Sequence, residues 1–93
     1  MGCARQKAKV NGWQFVIHQD ALETIDALPS SDRREIRKAL YALVNDPYHT
    51  PDAQIRPPGD RIYLVKRVRS YYMVYWLDPF VREVRIVCVD SPK

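Results

Sequence analysis

The hydrophobic pattern changes period along the chain, and each change predicts a different element. Trp13-Gln14-Phe15-Val16-Ile17-His18 puts Trp13, Phe15 and Ile17 on one side, which predicts a strand buried on that face. Leu22, Ile25 and Leu28 then recur at helical spacing and stop at Pro29, with Asp20 and Glu23 at capping-box spacing where the helix begins. Asp32 and Glu35 repeat that spacing ahead of Ile36, Ala39, Leu40, Leu43 and Val44, the i, i+3, i+4, i+7, i+8 stripe of a helix packed on a core. Arg33, Arg34, Arg37, Lys38, Tyr41 and Asn45 lie mostly off the stripe, as its solvated face. Asn45-Asp46-Pro47 ends this helix, and turn-forming residues run through Pro51 to Pro57-Pro58-Gly59-Asp60. The short connection between the helices predicts an antiparallel hairpin.

From Arg61 the period becomes two. Ile62, Leu64 and Val68 share one face of a strand, and Arg61, Tyr63, Val65 and Arg67 share the other. A tight turn at Arg69-Ser70 leads to a strand over Tyr71–Leu77. A second turn at Asp78-Pro79-Phe80 leads to a last strand over Val81–Val89, with Val84, Ile86 and Cys88 on one side and Glu83, Arg85, Val87 and Val89 on the other. Three consecutive strands with short turns form an antiparallel meander. The expected fold is therefore α+β: a strand, then a two-helix hairpin packed on one face of a C-terminal three-stranded antiparallel meander. Residues 1–11 lack periodicity and are expected to be a disordered leader, leaving residues 12–93 as one domain, a size that buries a modest core without disulfide or metal. The face turned from the helices should present Arg61, Tyr63 and Arg67 with Tyr72, and Tyr71, Tyr75 and Trp76 are expected to pack the sheet.

Charge sharpens this picture. Residues 1–55 balance Arg5, Lys7, Lys9, Arg33, Arg34, Arg37 and Lys38 against Asp20, Glu23, Asp26, Asp32, Glu35, Asp46 and Asp52. Residues 56–93 set Arg56, Arg61, Lys66, Arg67, Arg69, Arg82, Arg85 and Lys93 against Asp60, Asp78, Glu83 and Asp90, so the net charge of +4 arises there. A basic face of this kind points to an anionic partner, nucleic acid first; a sheet face kept soluble by arginine accounts for it equally well. Cys3 and Cys88, with only His18 and His49, offer no metal-ligand spacing, and Cys88 reads as a small buried hydrophobe. No apolar run approaches the length of a membrane span and the N-terminal stretch has no signal-peptide core, so the expected location is the cytoplasm.

The strand, two helices, proline-bearing loop and meander resemble the RelE/ParE superfamily of bacterial toxins. Within Tyr63-Leu64-Val65-Lys66-Arg67-Val68-Arg69-Ser70-Tyr71-Tyr72-Met73-Val74-Tyr75, the residues Arg67, Val68, Tyr71, Met73, Val74 and Tyr75 match the family's central motif, and the resemblance spans roughly residues 13 to 90. It implies a toxin of a type II toxin-antitoxin system, bound by a cognate antitoxin. RelE-like members cut mRNA on the ribosome and ParE-like members inhibit DNA gyrase; a homologue that only binds antitoxin or RNA is a third possibility. The RNA reaction is attack of a 2′-hydroxyl on the adjacent phosphate, needing an acid, a base and cations but no metal or other cofactor.

On that reading Arg67 grips the phosphate, since an arginine fork donates bidentately and stays protonated. Tyr63, Tyr72 and Lys93 are the candidates for moving protons, His49 is a further acid-base candidate, and Arg61, Lys66, Arg69 and Arg85 are candidates for RNA contact. A cross-strand pair with Glu83 is the structural alternative for Arg67. The sequence departs from the family motif in several places: Tyr72 replaces its second arginine, Arg69 its glycine, and Tyr63 and Val65 the lysines of the preceding strand. The chain also stops at Ser91-Pro92-Lys93, where many RelE-like toxins continue into a basic tail.

Overall fold

A computed structural model describes residues 12–91 together with the backbone of residues 3–7. Eight elements follow in order: β1 (Cys3–Lys7), β2 (Gln14–His18), α1 (Gln19–Asp26), α2 (Ser30–Asn45), β3 (Ala53–Ile55), β4 (Tyr63–Val68), β5 (Tyr71–Asp78) and β6 (Glu83–Asp90). The strands form one sheet in the order β1-β2-β6-β5-β4-β3. The antiparallel β4-β5-β6 meander is its centre, and β2 joins β6 in parallel, with Phe15 opposite Val84 and Ile17 opposite Ile86. Parallel pairing requires a crossover, and the two helices supply it.

The α2 stripe is buried as its spacing predicts: Ile36, Ala39, Leu40, Leu43 and Val44 lie in the core with Phe15, Ile17, Met73, Tyr75, Val84 and Ile86. Leu43 and Ile36 have no exposed surface, so truncating either to alanine would cost about 2–5 kcal/mol. α1 contributes Ala21 and Ile25 to the same core. The helices therefore cover one face of the sheet and leave Tyr63, Val65 and Arg67 of β4 and Tyr72, Val74 and Trp76 of β5 on the other, as the register dictates.

Four features differ from the sequence reading. β1 occupies part of the expected leader, because the outer edge of β2 has unpaired backbone groups that a neighbouring strand satisfies; Cys3 lies opposite His18 and Lys7 opposite Gln14. β3, unforeseen in the proline-rich loop, pairs antiparallel with β4 along its outer edge. The capping spacings do not cap: His18 and Pro29 precede the two helices without a side-chain cap bond, and Asp32 lies within the first turn of α2, its carboxylate directed at the sheet. Finally, Val74 pairs with Cys88 and Tyr75 with Ile86, so Val87 is an extra bulged residue. Beyond the bulge the alternation inverts. Val89 enters the core and Cys88, expected to be buried, is exposed.

Candidate functional site

β4 and β5 place Arg67 directly opposite Tyr72 on the face turned from the helices. The guanidinium carbon lies 5.7 Å from the Tyr72 ring centroid, within cation–π range. The Arg67 backbone N–H donates to Asp52 Oδ2 at 2.7 Å, and Asp52 N–H donates to the Val65 carbonyl at 2.9 Å. Asp52 thus extends the β3–β4 pairing by side-chain means and fixes the strand under Arg67. The arginine is exposed, and among the described residues no carboxylate lies within ion-pair distance of its guanidinium. The pairing with Glu83 foreseen as an alternative does not occur. Glu83 sits on the far strand, where it accepts from Gln14 Nε2 at 2.9 Å and lies 2.6 Å from Arg85 Nη2.

A second cluster lies four residues along β5, about 13 Å away at strand rise. Arg61 stacks on Trp76 with its guanidinium carbon 3.7 Å from the ring centroid, while Arg85 approaches the same ring at 5.4 Å. Arg85 is neutralised by Glu83 and lies 3.9 Å from Asp78, and Arg61 lies 3.9 Å from Asp60. Trp76, at even spacing from Tyr72, lies on the same face and is half-buried there, packed on the sheet with Arg61 and Arg85 against its ring. Asp52 carried no sequence signal, because its role depends on the β3 pairing.

The remaining candidates are dispersed. The Tyr63 hydroxyl donates to Asp60 Oδ2 at 3.3 Å. Lys66 lies opposite Met73, a core residue, and therefore projects from the helix-covered side, away from Arg67. Arg69, at φ 55° in the β4–β5 turn, reaches to α2, with Nη1 2.9 Å from Asp32 and Nη2 3.9 Å from Glu35. Tyr71 donates to the other Asp32 oxygen at 2.9 Å; that bond and partial burial raise its pKa. His49 is bonded within its own loop: its Nδ1 lies 2.9 Å from the Asp46 carbonyl, and since a carbonyl only accepts, Nδ1 carries the proton. Lys93 lies outside the described residues. Among the described residues of β4, β5 and β6 this face is balanced rather than basic, since Arg61, Arg67 and Arg85 are matched by Asp78, Glu83 and Asp90, and Lys66 and Arg69 are directed elsewhere. Arg67 with Tyr72 is the cationic station that the fold leaves open.

No protein-family model matches the sequence, and no curated protein matches it. Solved structures match the fold. The isolated Escherichia coli RelE toxin superposes with a TM-score of 0.71 at 20% identity, covering 85% of this chain and 83% of that one. The intact E. coli RelBE toxin-antitoxin complex gives 0.68 at 21% identity over 85% and 95% of the two chains. The archaeal RelE-RelB complex from Pyrococcus horikoshii gives 0.68 at 17% identity over 81% and 89%. The fold of this protein is thus the RelE-like toxin fold.

Proposed function

We propose that this protein is the toxin of a toxin-antitoxin pair, restrained by a cognate antitoxin protein, and that it acts on mRNA at the ribosome through the open face of its sheet. The observation that carries the RNA reading is the exposed Arg67, braced from below by Asp52 and flanked by Tyr72, with no carboxylate among the described residues competing for its guanidinium. A phosphate arriving there meets a planar fork of N–H groups, the geometry that stabilises the negative charge of a phosphorane formed by 2′-hydroxyl attack. Tyr72, directly opposite on β5, stands where a hydroxyl can meet the same nucleotide. The partner assignment follows from the likeness to RelE, two of whose structures are complexes with RelB.

A second reading is favoured by a specific observation. Tyr63, Arg69 and Arg85 are engaged by Asp60, Asp32 and Glu83 respectively, so none of these three brings a free cation or a free proton-transfer group to Arg67. A toxin that blocks DNA gyrase without cutting needs neither. Controlled expression separates the readings. The RNA reading expects translation to stop, with new 5′ ends in cellular transcripts, and expects Arg67→Ala to remove both effects while the purified variant keeps its circular dichroism. Growth arrest with intact transcripts, accompanied by inhibited supercoiling in a purified gyrase assay, would transfer the assignment to the second reading. Expression without growth defect would leave only antitoxin or RNA binding.

A further inference from the structure

The end of the sheet opposite Arg67 carries a feature that the proposed function does not use. Phe80, in the β5–β6 turn, is 97% exposed, with Val81 beside it at 53% and Ile62 at 39%. A groove of about 520 Å³ adjoins this knob, lined by Arg61, Ile62, Trp76, Leu77, Asp78, Pro79 and Phe80. Knob and groove together form an apolar patch of the kind that marks an interaction site. Asp60, Asp78 and Glu83 balance Arg61, Arg82 and Arg85 at this tip, so it has no net charge to attract a polyanion. Its polar groups instead form a matched pair, with Arg61 and Asp78 both on the groove wall and more than ion-pair distance apart.

We propose that this tip is a homodimer contact whose occupant is a second copy of the chain. A two-fold interface requires a surface that is its own complement. Here the apolar knob lies beside a groove lined by Ile62, Trp76, Leu77 and Pro79, and a cation and an anion stand on that groove's wall. Rotating one copy onto another seats each Phe80 in the partner's groove and sets each Arg61 against the partner's Asp78. The patch is small beside the surface that a permanent dimer buries, so the association is reversible and concentration-dependent. Arg67 and Tyr72, at the opposite end of β5, remain uncovered.

Sedimentation velocity of the purified protein from about 5 to 500 µM tests this. The 10.9 kDa chain should shift towards twice its mass as concentration rises. Phe80→Ser, a change at a fully exposed turn position, should stay monomeric throughout with unchanged circular dichroism. Arg61→Asp and Asp78→Arg should each be monomeric alone, because like charges then face one another across the axis. An equimolar mixture of those two variants should dimerise, since every facing pair is again opposite in sign. A wild-type protein that remains monomeric at 500 µM, or a mixture that does not associate, overturns the proposal. So does Phe80-dependent binding of a single-stranded oligoribonucleotide by monomeric protein, which would assign the tip to RNA.

Discussion

Removing the hydroxyl of Tyr75 should stabilise the protein. Tyr75 is the largest wholly buried side chain of the sheet, packed among the helices and β4, and its hydroxyl has no hydrogen-bond partner among the described residues. A buried hydroxyl without a partner costs about 1–3 kcal/mol of desolvation, whereas the ring supplies the packing. Tyr75→Phe keeps the ring and deletes the cost, so a gain of about 1–2 kcal/mol is expected, raising the melting temperature of a domain this size by roughly 5–10 °C. The variant should also change the response to alkali. Burial, and secondarily Asp52, pushes the Tyr75 pKa up to about 12 from its ordinary 10.0. The folded state therefore holds this proton more tightly than the unfolded chain. This term leaves stability intact below pH 10 and erodes it as pH rises to 12, by up to about 2.7 kcal/mol for a two-unit shift. Urea titrations of both proteins at pH 7, 9.5 and 11 read the effect directly, and their difference isolates Tyr75 from the other groups that titrate there. A variant less stable than wild type by about 1 kcal/mol at pH 7 would refute the reasoning by showing that the hydroxyl is hydrogen-bonded, and an unchanged loss between pH 9.5 and 11 would refute it by showing that the Tyr75 pKa is not raised.

Arg69 occupies the left-handed region in its turn, a strain of about 1 kcal/mol for a residue with a side chain, offset by its half-exposed ion pair with Asp32, worth about as much. Arg69→Gly should therefore be neutral to within roughly 0.5 kcal/mol in urea melts, while Arg69→Ala, which keeps the strain and loses the pair, should be destabilised. Asp32→Ala should be worse than either Arg69 change, because it strands the Tyr71 hydroxyl as well, and the same melts order the three. Arg67→Ala should weaken binding of a short single-stranded RNA and lower the slope of log affinity against log salt by about one, leaving the melting temperature within 2 °C of wild type as expected for an exposed arginine. Cys88, exposed on β6, should react with a maleimide in the native state of a Cys3→Ser protein. Its rate should rise only at a pH above the ordinary thiol value, because partial burial, then Asp90 and Asp20, hold the thiol protonated.

The fold could be read from the chain wherever one periodicity ran uninterrupted against one surface. The α2 stripe and the alternation of β4 and β5 do so, and Leu43, Val68 and Met73 are buried as their spacing requires. Failure began where a backbone event shifts the phase. A single extra residue, Val87, exchanges the environments of Cys88 and Val89, and no side chain in Val84–Asp90 announces it. β1 and β3 escaped for a different reason: each exists because a neighbouring strand offers unpaired backbone groups, a property of the partner edge.

The site divides in the same way. Arg67, Tyr72 and Tyr63 project from the uncovered face because strand parity alone decides it, and parity is a local quantity. The charge of that face is not local. Eight cations fall in residues 56–93, yet Arg69 turns to a helix carboxylate and Lys66 to the helix-covered side, while Arg85 is met by Glu83 from its own strand. Among the described residues no acid reaches the Arg67 guanidinium, although it lies on a face that also carries Asp78, Glu83 and Asp90, and that exclusion depends on where the acids are held. Asp32, which capping rules assign to its own helix, instead binds Arg69 and Tyr71; Asp52, from an irregular loop, spends its carboxylate on the Arg67 backbone and leaves the guanidinium open. The availability of the arginine is therefore a consequence of tertiary pairing among acids. A substitution that frees one of them, such as a shortened loop that releases Asp52, would alter the station without touching any residue that faces the ligand.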